Sequence, residues 1–171
     1  MSLTIINRQR TKKINTYLLK QITEDLLAHL KIDSAELGIL LVGAKEMTQV
    51  NWQFLHHEGS TDVITFDHHD DAGRACSPLL ADGAHGVTRP TIHGELFICV
   101  DEAVAQAKKF QTRWQAEVAR YVVHGVLHLL GHDDLKPDLR RKMKREENRL
   151  GRRLAKRFAL AQLSRAAKLG A

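Results

Sequence analysis

Apolar residues recur along this chain with two different periods. Ile14, Leu18, Ile22, Leu26 and Leu30 fall every four residues, which predicts a helix over 12–30. Met47, Val50 and Phe54 predict a second helix over 45–54, and a strongly apolar stretch predicts another over 114–130, stopped by Gly131. Short runs rich in β-branched and aromatic residues predict strands over 3–7, 36–42, 62–66 (DVITF) and 95–100 (ELFICV). Between the last two strands lies a polar stretch, 67–94, with Gly73, Pro78, Gly83, Gly86 and Pro90. A loop of that length in a compact domain is uncommon and is usually functional or mobile. Asp101 is placed to cap a helix that buries Val104 and Ala105. Pro137 opens a final helical region, where Leu150, Leu154 and Phe158 form an apolar stripe. The order βαβαββ followed by helices predicts one α+β domain, a small mixed four-stranded sheet packed with helices.

Composition narrows the class. The 171 residues suit one domain with a real core. No run approaches the roughly 18 apolar residues of a membrane span, and the polar turn after the first few residues is unlike a signal peptide. Two cysteines, Cys76 and Cys99, make no disulfide framework, and ten histidines beside them suggest imidazole chemistry in a reducing compartment, hence a cytoplasmic protein. The net charge of +6 is uneven. Residues 136–171 hold 13 Lys and Arg against 3 Asp and Glu, while the rest of the chain is net acidic. From charge alone this basic block faces a polyanion or is a solvated helix surface.

The segment 124–134 (HGVLHLLGHDD) carries the chemistry. His124 and His128 stand four apart on the apolar helix, so both imidazoles share one face and one ion can touch both. Gly131 turns the chain back and presents His132, Asp133 and Asp134. One ligand from that turn would complete a three-ligand divalent-metal site, most simply Zn2+, with an open position. Zinc peptidases of the H-E-x-x-H type carry a glutamate after the first histidine as general base; this chain has Gly125, which disfavours a metallopeptidase.

These residues resemble the YbeY family of bacterial ribosomal-RNA maturation endoribonucleases, whose hallmark is H-G-x-L-H-L-x-G-x-D-H. Residues 124–134 agree with it at ten of eleven positions, counting the free ones. Thr61-Asp62-Val63-Ile64-Thr65-Phe66 is similar to the family's T-D/N-V-L-S-F strand. Gly94-Glu95-Leu96 is similar to its G-D/E-I strand. Asn51 matches the upstream asparagine, and Met143 with Glu147 match the M-x3-E of the last helix. The likeness covers about 1–150, leaving 151–171 as a basic helical extension. It implies a zinc-dependent, single-strand-specific endoribonuclease, a hydrolase of phosphodiester bonds. The implied role is maturation of the small-subunit ribosomal RNA 3′ end and ribosome quality control. The implied partners are RNA and the small ribosomal subunit with its proteins, and neither membrane nor DNA.

The resemblance also distributes roles, with departures. The family's last histidine ligand falls on Asp134. A carboxylate ligates zinc at similar distance, so His124, His128 and Asp134 are the expected ligands; His132 is the other candidate. His124, His128, Glu95 and Asp62 form the expected catalytic set, the two carboxylates as proton-transfer or supporting groups. Arg140, Arg141, Lys144, Arg145 and Arg149 are the expected RNA contacts, on a basic helix that also offers Arg152, Arg153, Lys156 and Arg157. An arginine that the family carries six residues before the T-D-V strand is Leu55 here, followed by His56 and His57. That loss keeps a second hypothesis open, a non-catalytic ribosome-assembly factor with a structural zinc. His68, His69, Asp70, Asp71, His85 and His93 crowd the long loop, either as a second metal site or as a solvated surface.

Overall fold

The structure, a computed structural model, describes residues 1–68 and 90–164. Its elements are β1 (Ser2–Asn7), α1 (Thr16–His29), β2 (Ser34–Val42), α2 (Ala44–Leu55), β3 (Val63–Asp67), β4 (Thr91–Cys99), α3 (Val100–Phe110), α4 (Trp114–Leu129) and α5 (Pro137–Arg157). A 3-10 helix, Leu160–Ser164, ends the described chain. The strands form one mixed sheet in the order β1-β2-β4-β3, with β1, β2 and β4 parallel and β3 antiparallel to β4. The expected α+β domain with a four-stranded mixed sheet is what the chain builds.

Element limits depart from the sequence reading for local reasons. The first helix begins at Thr16 because the Asn15 side chain accepts the N–H of Leu18 at 3.0 Å, while Gln9 holds the backbone of Lys12 in a turn. β4 starts at Thr91, four residues before the apolar run, because it pairs with β2 from Ser34↔Thr91 onward. Asp101 lies in the first turn of α3 and does not cap it. Its carboxylate accepts the N–H of Ala44 at 2.6 Å and so caps α2, whose own cap position is Gly43.

The sheet has two unequal faces. On one, Leu37, Ile39, Leu41, Leu96 and Ile98 join Leu19, Ile22 and Leu26 of α1, Val122 and Val126 of α4, and Leu150 and Leu154 of α5 in the main core. On the other, α2 covers one end with Met47 against Leu40, Val42, Ile64 and Cys99. The division expected at 150/151 falls inside α5. Leu154 and Leu163 are fully buried in the main core, so 151–164 packs as part of the same body.

Helix α4 lies close against β4 because each contributes a glycine to the contact. A Cβ on Gly125 would stand 2.6 Å from Leu96 Cδ2. A Cβ on Gly94 would stand 2.4 Å from the Phe66 carbonyl oxygen and 2.7 Å from Leu129 Cδ2. A side chain at either position would force a neighbour to shift, and the histidine helix is thereby seated directly on the sheet.

Candidate metal centre

Local backbone chemistry places the donors. Helix α4 ends in a Schellman turn. Gly131 adopts φ 85°, its N–H reaches the His128 carbonyl at 2.9 Å, and the His132 N–H reaches the Leu127 carbonyl at 3.0 Å. This turn needs a left-handed residue, which glycine supplies without strain. It folds the chain back over the last turn of α4, so that the His132 carbonyl meets His128 Nδ1 at 3.0 Å. Asp134 then lies beside the histidines, with Oδ2 4.0 Å from His128 Nε2. The part-buried donors of His124, His128 and Asp134 all lie within 4.8 Å of one another.

The two imidazoles are held from behind. His124 Nδ1 meets Glu147 Oε2 at 3.0 Å, and His128 Nδ1 meets the His132 carbonyl. Both partners are acceptors, so each Nδ1 carries the proton and each Nε2 carries the lone pair. The two Nε2 atoms face each other 3.0 Å apart. Two lone pairs at that distance repel unless a cation or a proton lies near them. The arrangement therefore fits a divalent ion, and such fixed tautomers are how ligating histidines are oriented. Burial, then the positive charge His124 can carry, push the His128 imidazole below its ordinary pKa against the opposing pull of Asp134. The neutral form is the one that ligates metal.

Glu147 is the support that sequence reasoning noted only as a motif match. Its side chain is 3% exposed and also takes Lys144 Nζ at 2.9 Å and Arg120 at 3.2 Å. Burial works against its ionisation, but the bonds from His124 and Lys144 and the charges of Lys144 and Arg120 outweigh it. They hold the carboxyl down to about 2. Arg120 in turn grips Glu117 at 2.9 Å through Nε. A legible signal existed: Glu147 interrupts the apolar stripe Met143, Leu150, Leu154 on an otherwise basic helix, and an acid on a buried stripe must have partners.

Not every expected site residue is gathered here. Glu95 stands apart from the histidine pair. Gly94 and Leu96 face α4, and strand alternation turns Glu95 to the opposite face of the sheet. There it lies 3.5 Å from His68 and lines an open groove with Thr4, Gly38 and His93. Asp62 accepts the Val63 N–H at 2.9 Å and the Thr61 hydroxyl at 3.1 Å, which settles the start of β3. Of the basic set, Arg141 pairs with Asp138, Lys144 with Glu147 and Arg149 with Glu146, while Arg140 donates to the Asp134 carbonyl at 2.9 Å. Arg145 is the one of the five with no such partner among the described residues. Leu55 is exposed at the end of α2, His56 caps that helix in a left-handed conformation, and Asn51 donates to the Gly59 carbonyl at 3.0 Å. His69, Asp70, Asp71 and His85 lie outside the described residues. His68 and His93 touch edge to face, each beside a glutamate, Glu95 and Glu36.

Comparison with known proteins agrees with this geometry. The family profile described as Endoribonuclease YbeY matches residues 4–155. Endoribonuclease YbeY of Geobacter metallireducens is 29% identical over 78% of this chain and 81% of its own length. The protein of the same name from Syntrophotalea carbinolica is 30% identical over 75% of this chain and 78% of its own. A solution structure from Thermotoga maritima superposes with a TM-score of 0.61 at 21% identity, covering 99% of both chains, and so shares the fold. The histidine pair, the glycine turn that follows it and the profile match over most of the sequence lead to one conclusion: the chain belongs to the Endoribonuclease YbeY family.

Proposed function

We propose that this protein is a zinc-dependent endoribonuclease that cuts single-stranded RNA during maturation of the small-subunit ribosomal RNA 3′ end, in the cytoplasm. The observation that carries the reading is the pair of Nε2 atoms of His124 and His128, 3.0 Å apart with Asp134 beside them, in a chain whose relatives are named Endoribonuclease YbeY. His124, His128 and Asp134 would hold the ion. A bound divalent ion supplies Lewis acidity toward a phosphodiester and the water that attacks it. Glu147 and the His132 carbonyl keep both imidazoles in the ligating tautomer and orientation. Asp62 stays a candidate proton-transfer group. Glu95, on the other face of the sheet, is not carried forward. Gly125 faces Leu96, so the position that would hold a peptidase's glutamate points into the core. The buried free thiol of Cys99 and the lack, among the described residues, of a helix long and apolar enough to cross a membrane accord with a cytoplasmic setting.

The test is direct. Zinc-loaded protein is incubated with an end-labelled single-stranded RNA spanning the 3′ end of the small-subunit precursor, beside the folded His128→Ala variant. Cleavage by the first and none by the second is expected. Metal-replete protein that binds small subunits without cutting RNA would instead support an assembly factor with a structural zinc.

A further inference from the structure

Helix α5 carries its charges in two different ways. On the flanks of its buried stripe, cations are matched to carboxylates one turn away or on α1: Arg141 with Asp138, Lys144 with Glu147, Arg149 with Glu146, and Arg153 and Arg157 with Asp25. On the outer face only some of them are. At about 100° per residue, Lys142, Arg145, Arg149, Arg152, Arg153 and Lys156 fall within an arc of roughly 100°, centred about 140° around the helix from Met143, Glu147, Leu150 and Leu154. Among the described residues, Lys142, Arg145, Arg152 and Lys156 have no carboxylate partner, and all four are exposed. Arg145, Arg149, Arg152, Arg153 and Lys156 share one open groove.

Like charges at these spacings repel and weaken a helix. The chain avoids that cost elsewhere on α5 by interleaving acids, so an unneutralised ridge calls for an external anion. The face has no leucine, phenylalanine or tryptophan between Lys142 and Lys156, so it lacks the apolar half that an interfacial membrane helix buries. From Lys142 to Lys156 the ridge rises about 21 Å along the helix. That matches the short end of single-strand footprints, about four nucleotides. It starts in the same turns as Glu147 but on the opposite side of the helix, so it cannot touch the reacting phosphate.

We propose that Lys142, Arg145, Arg152 and Lys156 form a phosphate-tracking exosite that holds single-stranded RNA away from the metal centre. The proposal rests on the endoribonuclease reading in taking RNA as the anion. It narrows the basic helix expected from sequence to the cations left without a carboxylate, since Arg141, Lys144 and Arg149 pair with acids and Arg140 donates to the Asp134 carbonyl.

The probe is a fluorescein-labelled 12-nucleotide oligouridine, read by anisotropy between 50 and 200 mM salt. Four single-strand phosphate contacts give a slope of log affinity against log salt of about −3, or about a 50-fold loss over that range. Changing Lys142, Arg145, Arg152 and Lys156 together to Gln should remove most of that slope. A control changing the exposed Lys13, Lys20, Lys31 and Lys108 to Gln alters net charge equally and should keep it. Equal loss in both variants, an unchanged slope in the first, or tighter binding of a 12-base-pair RNA duplex would overturn the exosite. The endoribonuclease reading is judged separately. Wild-type protein that binds oligouridine through the ridge yet cuts no RNA when zinc-loaded refutes that reading alone. Cutting with a ridge-independent slope refutes the exosite alone.

Discussion

Replacing Gly125 with alanine sets two known effects against each other on the histidine helix. Alanine in a helix interior is favoured over glycine by about 1 kcal/mol. Its methyl group, however, would stand 2.6 Å from Leu96 Cδ2, 2.9 Å from Cδ1 and 3.2 Å from Cγ. Leu96 is 0% exposed and enclosed by the main core, so its branch has no free volume to move into. Overpacking of this kind costs about 1–3 kcal/mol. The net expectation for Gly125→Ala is a loss of about 1 kcal/mol, read as a lower urea midpoint with unchanged m. The decisive arm is the same substitution in a Leu96→Ala background. Leu96→Ala alone should cost about 2–5 kcal/mol. With the obstacle gone, Gly125→Ala should stabilise by about 1 kcal/mol, giving a coupling near 2 kcal/mol between touching residues. A higher midpoint for Gly125→Ala in the wild-type background would show that α4 can lift from the sheet, and the account of the H-G pair as a packing device would fail. For the same reason Gly125→Glu should give a poorly folded protein and no peptidase.

Other expectations follow from the same contacts. Glu147→Gln should weaken zinc binding by about 10–100-fold in a chelator competition, because His124 loses the carboxylate that orients it. Asp134→Ala should lose zinc by elemental analysis while His132→Ala retains it, since His132 serves through its carbonyl. The Arg153 hydrogen bond to Asp25 lowers that carboxyl, against burial, with the charges of Arg153 and Arg157 adding to it. A depressed folded pKa contributes stability above the unfolded value of about 3.9 that is lost as pH falls through the folded one. Asp25→Asn should therefore flatten the acid limb of a stability profile measured below about pH 4. The Tyr121 hydroxyl is buried without a partner among the described residues, and Tyr121→Phe should cost nothing or raise the urea midpoint.

Much of this protein was legible in one dimension because the relevant physics is local. A helical period of four placed α1, and the i, i+4 spacing of His124 and His128 forces both rings onto one face wherever that helix packs. Gly131 announced the turn because a left-handed residue must follow the helix for its last carbonyls to be satisfied. Hence the metal pair and the return of the chain toward it could be derived from eleven residues. What one dimension leaves open are side-chain directions across strands and pairings between helices. Asp62 directly precedes β3 and Glu95 lies on the adjacent β4, but a pleat reverses side-chain direction at every residue, and only the contacts of Gly94 and Leu96 with α4 reveal which parity faces the metal. Arg140, Arg141, Lys144 and Arg149 read as free cations until pairing showed each engaged, while Lys142, Arg152 and Lys156 were left unneutralised. Glu147 became a support for His124 only when α5 docked on α4. Sequence determined which groups this chain can offer and their spacing along each element, because backbone geometry repeats. Tertiary structure alone decided which charges remain uncommitted, because pairing depends on distances between elements that no local period encodes.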